Sequence, residues 1–537
     1  MAEEEKKSKL YILKPLVDRM PAVKRPEGHV HFRNKMMWTL LILILYFVMT
    51  NVMLFGLEAG KTIDLFAQFR AIMAGANGSL MHLGIGPIVT GSIIMQLFVG
   101  AKIIKLDLSD DEDKAVYQGT QKFIVIIMIF VEAIPQVFGY LVPSGAMTGA
   151  IDRSIGNGIL WGRAIIVIQL FFGSYLVFLM DEVISKWGIG SGISMFIAAG
   201  VAQGIFTGTL NWVPANPRAA ITLHNPPSGT IPKTIYILGS EPAGTFSRGG
   251  FEQILFQPPN PLIALIGTIV IFLVVAYAES CRIELRISHA KARGARGKYP
   301  IRLIYASNIP VILMSALLAN ISMFSLLFWN EQSLGHLPLV GHKWWIGYYP
   351  IITDSATGTQ TLATHPQAGA AWYLSTINGV HDWLLPLVWP QTYAVAGSQN
   401  DYTYGHAWWQ VVLHICVWVG VMVGGSVLFA KFWIETTNMG PRAVAEQIEH
   451  QGLQMPGFRR QPERMMPVLE RYIPAVTVIS GASVGALAAF ADMIGTTGNV
   501  SGTGVLLSVG IMIHFFEAMS KEQMLEMHPV LRGVFGE

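Results

Sequence analysis

The sequence predicts an all-α polytopic membrane protein with ten transmembrane helices. Only 13% of its 537 residues are charged, against about 25% in ordinary soluble domains, and 52% are hydrophobic. The apolar residues form runs of about twenty, the length that crosses a bilayer as an α-helix. No polar block between the runs is long enough for a soluble domain with its own core. We therefore expect one membrane domain.

The N-terminal part begins with a polar, basic segment, residues 1–35, that lacks the apolar core of a signal peptide. We expect it to lie at the cytoplasmic membrane surface, with a disordered tail as the alternative. The N-terminal half follows at 36–210. Its predicted spans are 36–57, 80–100, 119–142, 159–180 and 188–210. Residues 63–74 are amphipathic but too short to cross, and they precede the turn-forming stretch 75–78, so they predict a half-inserted helix.

An external connector, residues 211–260, leads to the C-terminal half, residues 261–519. The predicted spans of this half are 261–278, 306–329, 406–433, 472–491 and 502–519. Its loops are 279–305, 330–405 and 434–471, and a tail, 520–537, follows the last span. Ten spans divide into five and five, and an odd number in each half gives the halves opposite topology, as in inverted repeats.

Positive charge indicates the orientation. Lys and Arg crowd residues 1–35 and the loops 279–305 and 434–471, whereas the long, Trp- and Tyr-rich loop 330–405 holds Lys343 as its single basic residue. Positively charged loops stay in the cytoplasm, and Trp and Tyr favour the headgroup level. We therefore expect both termini and the two basic loops in the cytoplasm, and the long loop outside.

Two spans contain glycine-rich stretches. Residues 83–96 hold three glycines and a proline, and residues 188–193 repeat the pattern of glycines around isoleucines. A backbone loosened in this way is tolerated in lipid only where protein or a water-lined cavity covers it. The residues alone leave two interpretations open, a packing kink between helices or the lining of a central passage.

Three polar residues stand near the middle of predicted spans and are candidates for function: Glu132, Asn320 and Thr90. Ionisable groups in a membrane are candidates for function because they are costly in lipid. The simpler interpretation is that each joins neighbouring helices by a hydrogen bond. The functional one is a polar cluster at a seam that opens. Two alternative functions are open: an inverted-repeat secondary transporter that uses Glu132, and a passive scaffold.

Motifs of nucleotide hydrolysis, zinc peptidases and serine hydrolases are missing, and the two cysteines, Cys281 and Cys416, stand far apart. We therefore expect no enzyme, no catalytic residue, no metal and no cofactor. The cations and glycines of residues 291–298 suit contact with RNA phosphates, although setting topology and binding anionic lipid explain them equally.

Four stretches carry a family resemblance: LGIGPIVTGSIIMQL, DEVISKWGIGSGISMFIAAGV, GARGKYPIRLIYASNIPVIL, and MPGFRR with RYIPAVTVISGA. They resemble the SecY family, the channel subunits of the Sec protein translocon, in its archaeal form. The resemblance extends in order over residues 11–529 and all ten spans. It implies two five-helix halves around an hourglass pore in the cell membrane.

The resemblance also implies roles for particular residues. A ring of apolar side chains forms the waist of the pore, and residues 63–74 match the family's plug. The ring positions are Ile85, Val89, Ile189, Ile193, Ile312 and Leu507, the last with Leu506 as the alternative register. Such a ring excludes ions and water by dewetting. The second and third spans would meet the seventh and eighth at a lateral gate that contains Thr90, Glu132 and Asn320, which favours the seam interpretation.

The implied partners follow. Signal sequences and nascent polypeptides would enter the channel, and membrane-protein segments would leave it sideways into membrane lipid. The two basic loops match the family's ribosome-binding loops, with the contacts Arg293, Arg296, Lys298, Arg459 and Arg460. Small subunits of the SecE/gamma type and the Secβ type are expected as well. The resemblance gives no role to the long loop 330–405.

Overall fold

The structure is a computed structural model of the whole chain. It describes residues 10–527 apart from gaps at 12–13, 18, 22, 29, 58–69, 101–102, 105, 107–110, 140, 155, 215–219, 223–224, 241–249, 258, 290–295, 303–307, 331–334, 337, 354–359, 363–364, 389–405, 438, 451–452, 455–461 and 499.

Ten helices form the body of the described chain, and we number them as spans in chain order. Nine are long and apolar enough to cross a membrane, and the second span is apolar but has only 15 residues. The spans are Phe32–Asn51, Gly86–Gly100, Asp111–Gly139, Gly158–Trp187, Gly192–Leu210, Leu262–Ser280, Ile309–Trp329, Trp408–Thr436, Pro462–Ile494 and Gly502–Met527. The predicted all-α polytopic fold is confirmed.

The second span begins at Gly86, whereas hydropathy predicts a start at residue 80. Gly84 adopts a φ of +55°, a left-handed conformation that favours glycine and breaks the helix. A Cβ atom at Gly84 would also collide with the Met73 carbonyl oxygen, and the Ile85 N–H donates to that same oxygen over 2.8 Å. The apolar residues before Gly86 therefore form turns that pack against the chain just before them.

Other spans differ from their predicted limits at the membrane surfaces. The first ends at Asn51, and Met53 and Leu57 instead form β-bridges to Ser79 and Pro143. The third, fourth, ninth and tenth spans are longer than predicted; the fourth continues to Trp187 and the tenth to Met527. Hydropathy detects only the part of a helix that lies in lipid, so a polar extension in water escapes it.

Short helices fill the connectors. They are Lys14–Val17, Arg70–Met73, Gly145–Ser154, Thr230–Ser240, Gly250–Leu255, Ala370–Leu374, Val380–Val388 and Pro441–His450. In the long loop between the seventh and eighth spans, strand Ile351–Thr353 pairs antiparallel with Gln360–Leu362.

The two basic loops share a three-stranded sheet that the sequence analysis did not predict. Strand Arg282–His289 pairs antiparallel with Arg296–Arg302 in the same loop. It also pairs with Leu453–Gln454 of the other basic loop, where Ser288 stands opposite Gln454 and His289 opposite Leu453. The backbone therefore joins the sixth–seventh loop to the eighth–ninth loop.

The N-terminal segment lies along the end of the fourth span. Glu182 Oε2 accepts a hydrogen bond from the Val23 N–H over 2.9 Å, and Lys186 Nζ donates to the Val23 carbonyl over 2.6 Å. Lys35 at the start of the first span forms an ion pair with Glu522 of the tenth span, 2.7 Å apart. These contacts hold the described part of residues 1–35 against the helix ends.

The first five spans meet the last five on two sides, and smaller contacts join the third span to the seventh and the first to the tenth. The second span packs against the seventh and eighth, and the fifth packs against the tenth. One continuous cluster of buried apolar side chains extends through both halves. The candidate site lies on this boundary.

Candidate functional site

The predicted ring residues stand at helix starts on both sides of this boundary. Ile85 immediately precedes the second span and Val89 lies one turn inside it, whereas Ile312 is in the first turn of the seventh span. Ile85, Val89, Ile312 and Leu507 are buried in the common cluster, and Ile193 packs against it half-buried. Leu506 is buried in the same cluster, so burial does not distinguish it from Leu507.

Ile189 is the exception among the ring positions. It is buried, but it does not belong to that cluster. Its N–H donates to Thr39 Oγ1 over 3.1 Å, which ties the turn before the fifth span to the first span. The structure thus brings five of the six predicted side chains into one apolar core and places the sixth beside the first span.

The fifth span begins at Gly192, after a turn in which Gly190 has a φ of +80°. Asp181 of the fourth span accepts a hydrogen bond from the Ile193 N–H over 2.9 Å. A carboxylate at a helix start satisfies N–H groups that have no partner within the helix. Asp181 therefore fixes Ile193, a role that the sequence did not reveal because the two residues lie on different helices.

The predicted plug helix, residues 63–74, is only partly described, because residues 63–69 lie outside the described part of the chain. Arg70–Met73 is helical and packs against the fifth, seventh and tenth spans. Met73 and Ala74 are buried in the common cluster, and Tyr46 donates a hydrogen bond to the Ala74 carbonyl over 3.1 Å. We call residues 70–74 the plug segment. It lies next to the ring residue Ile85, whose N–H donates to the Met73 carbonyl.

The three polar residues predicted for a seam are in direct contact. Asn320 Nδ2 donates to Thr90 Oγ1 over 2.9 Å, and Thr90 Oγ1 lies 3.0 Å from Glu132 Oε1. Glu132 is 2% exposed and Asn320 6%. The cluster joins the second, third and seventh spans. We call this boundary between the second and third spans and the seventh and eighth the seam.

Two glycines of the second span permit close packing, Gly91 against the third span on the same side of the seam and Gly100 against the eighth span across it. A Cβ at Gly91 would lie 2.8 Å from Val125 Cγ2 of the third span, and one at Gly100 would lie 2.6 Å from Phe432 Cδ1 of the eighth span. Real Cβ atoms need more room, so only glycine permits this packing. The seam is closed in this structure.

A second polar chain at the seam was not predicted. His82 Nε2 lies 3.0 Å from Gln136 Oε1, and Gln136 Nε2 donates to Met323 Sδ over 3.4 Å. All three residues are at most 2% exposed. Gln136 stands one helical turn after Glu132, a spacing that could have drawn attention to it.

The predicted ribosome contacts are described only in part. Arg293, Arg459 and Arg460 lie outside the described residues. The backbone of Arg296 pairs with Ser288, and that of Lys298 with Arg286, in the sheet shared by the two basic loops. This places the two residues on one strand, next to the strand that joins both loops.

A cavity of about 360 Å³ lies away from the seam, between the connector of the fifth and sixth spans, the long loop and the turn between the ninth and tenth spans. Asn260, His381, Asp382 and Asp492 are among its lining residues. Among the described residues, no group of His, Cys, Asp or Glu side chains is placed to hold a metal ion. The long loop is anchored here, because Trp383 Nε1 donates to the Met493 carbonyl over 2.9 Å.

Comparisons with known proteins agree on one family. The SecY family model matches residues 79–516, and the model described as the plug domain of Sec61p matches residues 44–78. The protein translocase subunit SecY of Archaeoglobus fulgidus is 44% identical over 526 residues, which is 98% of each chain.

Solved structures are similar over almost the whole chain. One, described as a protein-conducting channel, is 35% identical with a TM-score of 0.70 and covers 96% of this chain and 98% of its own. Sec61 in the canine ribosome–channel complex from the endoplasmic reticulum is 34% identical with a TM-score of 0.67 and the same coverage.

Proposed function

Since the chain belongs to the SecY family and is therefore the channel subunit of a protein translocon, we propose that its apolar ring is the constriction through which unfolded polypeptides pass. The protein is a multi-pass membrane protein and not an enzyme. This assignment replaces the alternative of a secondary transporter. The division into halves at 36–210 and 261–519, related as inverted repeats, remains part of the proposal.

The ring provides a barrier and a flexible opening at once. Apolar side chains offer nothing in place of an ion's hydration shell, so a narrow apolar constriction dewets and stops ions. Ile85, Val89, Ile193, Ile312 and Leu507 belong to one continuous core, and Ile189 is the proposed sixth member. Aliphatic side chains have no chemical preference for a particular polypeptide, which suits a channel with many substrates.

The plug segment closes the ring from the external side in this proposal. Its support is the burial of Met73 and Ala74 among the ring residues, together with the match of residues 44–78 to a plug domain. Movement of residues 63–74 would then be required before a polypeptide enters.

The seam is the proposed lateral gate, through which transmembrane segments and signal sequences reach the lipid. The contact between Thr90 and Asn320 carries this proposal, because it joins the two halves of the chain by a neutral hydrogen bond. Hydrogen bonds between membrane helices contribute about 0.6 kcal/mol on average. The seam is therefore held by contacts weak enough to open during transport.

The basic loops are the proposed docking site for the ribosome. The canine Sec61 relative is described in a ribosome–channel complex, and the present chain has a shared sheet that carries Arg296 and Lys298. Arg293, Arg459 and Arg460 are proposed contacts from the sequence alone. Cytoplasmic termini follow from the same orientation. Small subunits of the SecE/gamma and Secβ types are further proposed partners, supported by the family assignment.

The channel is tested by crosslinking a stalled secretory chain to a photoreactive residue at Ile193. We expect crosslinks from the middle of the translocating chain that are lost when its signal sequence is deleted. Phe206, on the same span but 66% exposed, is the control position and should give none. If Ile193 never contacts substrate in actively translocating membranes, the assignment of the pore to this ring is wrong.

A further inference from the structure

The chain of His82, Gln136 and Met323 crosses the seam as the first polar cluster does. His82 precedes the second span, Gln136 lies on the third and Met323 on the seventh. Gln136 Oε1 contacts His82 of the same half, and Gln136 Nε2 donates a hydrogen bond to Met323 of the other half. The amide thus joins the two sides of the seam in the way that Thr90 does.

The two clusters are stacked along the same helices. Gln136 follows Glu132 by four residues and Met323 follows Asn320 by three, so each pair lies one helical turn apart on one face. His82 precedes Thr90 in the chain, and the second span runs antiparallel to the third and seventh. His82, Gln136 and Met323 therefore all lie nearer than Thr90, Glu132 and Asn320 to the membrane surface at which the second span begins.

The orientation of His82 is fixed by its second contact. The Gly78 N–H donates to His82 Nδ1 over 3.0 Å, so Nδ1 is the acceptor and the ring carries its hydrogen on Nε2. Nε2–H then donates to Gln136 Oε1, which turns the amide NH₂ group toward Met323. His82 therefore positions Gln136.

The same histidine contacts the turn that follows the plug segment. Gly78 lies four residues after Ala74, and its carbonyl accepts a hydrogen bond from the Leu54 N–H over 2.9 Å. The Ala76 N–H donates to the Met81 carbonyl over 3.1 Å. The turn, His82 and Gln136 form one continuous set of buried contacts from the plug segment to the seam.

We propose that Gln136, positioned by His82, is a second latch of the lateral gate, and that it connects the closed seam to the seated plug segment. The proposal rests on the assignment of the seam as a gate. Opening the seam breaks the Gln136–Met323 contact. Displacing the plug segment moves Gly78 and His82. The Gln136 amide then loses the hydrogen bond that turns its NH₂ group toward Met323.

The latch is tested in translocon complexes reconstituted into lipid vesicles, with a secretory substrate whose signal sequence has been shortened. Gln136→Leu and Met323→Leu should each raise its translocation relative to the full signal sequence by about two- to threefold, the change expected for loss of one hydrogen bond between membrane helices. Gln121→Leu is the matched control, because Gln121 binds Ser92 within the same half over 2.7 Å. It should leave the ratio unchanged.

The Asn320→Leu variant distinguishes failure of the latch proposal from failure of the gate assignment. If Asn320→Leu raises the ratio and neither Gln136→Leu nor Met323→Leu does, the second latch is wrong and the gate stands. If none of the three variants changes the ratio in an active channel, the gate assignment is wrong as well. An equal increase in Gln121→Leu would show general loosening and overturn the latch.

The connection to the plug segment has its own readout. A Met73→Cys variant, in a chain with Cys281→Ser and Cys416→Ser, is treated with a membrane-impermeant thiol reagent from the external side. His82→Leu and Gln136→Leu should increase labelling without substrate, because the turn after the plug segment loses its buried partner. Unchanged labelling in both variants would overturn the connection, whatever the translocation ratio shows.

Discussion

Asn320 of the seventh span donates a hydrogen bond to Thr90 of the second span over 2.9 Å, and this contact joins the two halves of the chain. Its donor and acceptor are both neutral. The other oxygen of the amide, Asn320 Oδ1, is buried and has no hydrogen-bond partner among the described residues. The contact therefore lies in an incompletely satisfied environment, which favours reversible opening.

A double-mutant cycle tests this contact. Thr90→Val and Asn320→Leu should each raise translocation of a substrate with a shortened signal sequence by about threefold, which corresponds to about 0.6 kcal/mol for one hydrogen bond between membrane helices. The double variant should exceed neither single one, because both remove the same bond. Additive increases would show that the two residues act separately.

The apolar ring predicts an ion barrier that depends on position. Ile312→Asn should make vesicles leak ions, because a polar side chain at the constriction retains water. Leu313→Asn is the matched control, since Leu313 is the next residue on the same helix and is buried in the same cluster. It should destabilise the protein without a leak. Tight vesicles with Ile312→Asn, or equal leaks in both, would contradict the ring assignment.

The close approach of Gly84 to the Met73 carbonyl predicts that a larger side chain at position 84 would disturb the packing of the plug segment against the start of the second span. Gly84→Ala combines left-handed strain of about 1–2 kcal/mol with a collision at the Met73 carbonyl. Gly190→Ala carries the strain alone, because its Cβ would meet open space. Thermal denaturation of the purified complex should show the larger loss for Gly84→Ala. Equal losses would show that the contact with Met73 contributes nothing.

Charge reversal tests the basic sheet. Arg296→Glu combined with Lys298→Glu should weaken ribosome binding and reduce its dependence on salt, because contacts to RNA phosphates release counterions. Arg153→Glu changes an exposed arginine in the helix between the third and fourth spans and serves as the control. Binding that is unchanged by the double variant, in sedimentation with ribosomes, would place the docking site elsewhere.

The stability of the long loop between the seventh and eighth spans should depend on pH. Burial raises the pKa of Asp382 to about 7, although the hydrogen bond that Asp382 accepts from the Asn378 N–H acts to lower this pKa. The folded loop thus holds a proton that the unfolded loop releases near pH 4. Burial also lowers the pKa of His381, which keeps this neighbour neutral above pH 6.5.

The stability that the protonated Asp382 contributes to the loop is complete below about pH 4, is lost as the pH rises from about 4 to about 7, and is level above that. Proteolysis of the loop around residues 376–388 should therefore become faster between about pH 6.5 and 7.5, the upper part of this window, where His381 is largely neutral whether the loop is folded or unfolded, and level off above it. The Asp382→Asn variant should lose this dependence. A rate that is flat across that range in the unchanged protein would show that Asp382 is ionised in the fold.

The sequence predicted the number of spans because burial in lipid requires long apolar runs, and it brought Thr90, Glu132 and Asn320 to notice because polar groups are rare there. It did not predict the contact of Gln136 with Met323. The sulfur of a methionine is counted as apolar, and its role as an acceptor depends on the relative position of two helices. The start of the second span was missed although Gly84 and Pro87 both indicate a break.

The strand Arg282–His289 was also missed, although its sequence carried the pattern. Ile283, Leu285 and Ile287 alternate with polar residues, the period of a β-strand. The basic residues between these apolar positions are equally typical of a cytoplasmic loop, so the alternation alone does not distinguish a strand from a loop. Pairing with Leu453–Gln454 could not be predicted, since it joins segments more than 150 residues apart.

The sheet between the basic loops has a mechanical consequence. Both loops belong to the C-terminal half, and their strands are bonded to each other rather than to any described part of the N-terminal half. A ribosome that docks on this sheet as proposed would therefore hold the C-terminal half alone. The N-terminal half would stay free to move, so docking would leave the opening of the proposed gate unrestrained.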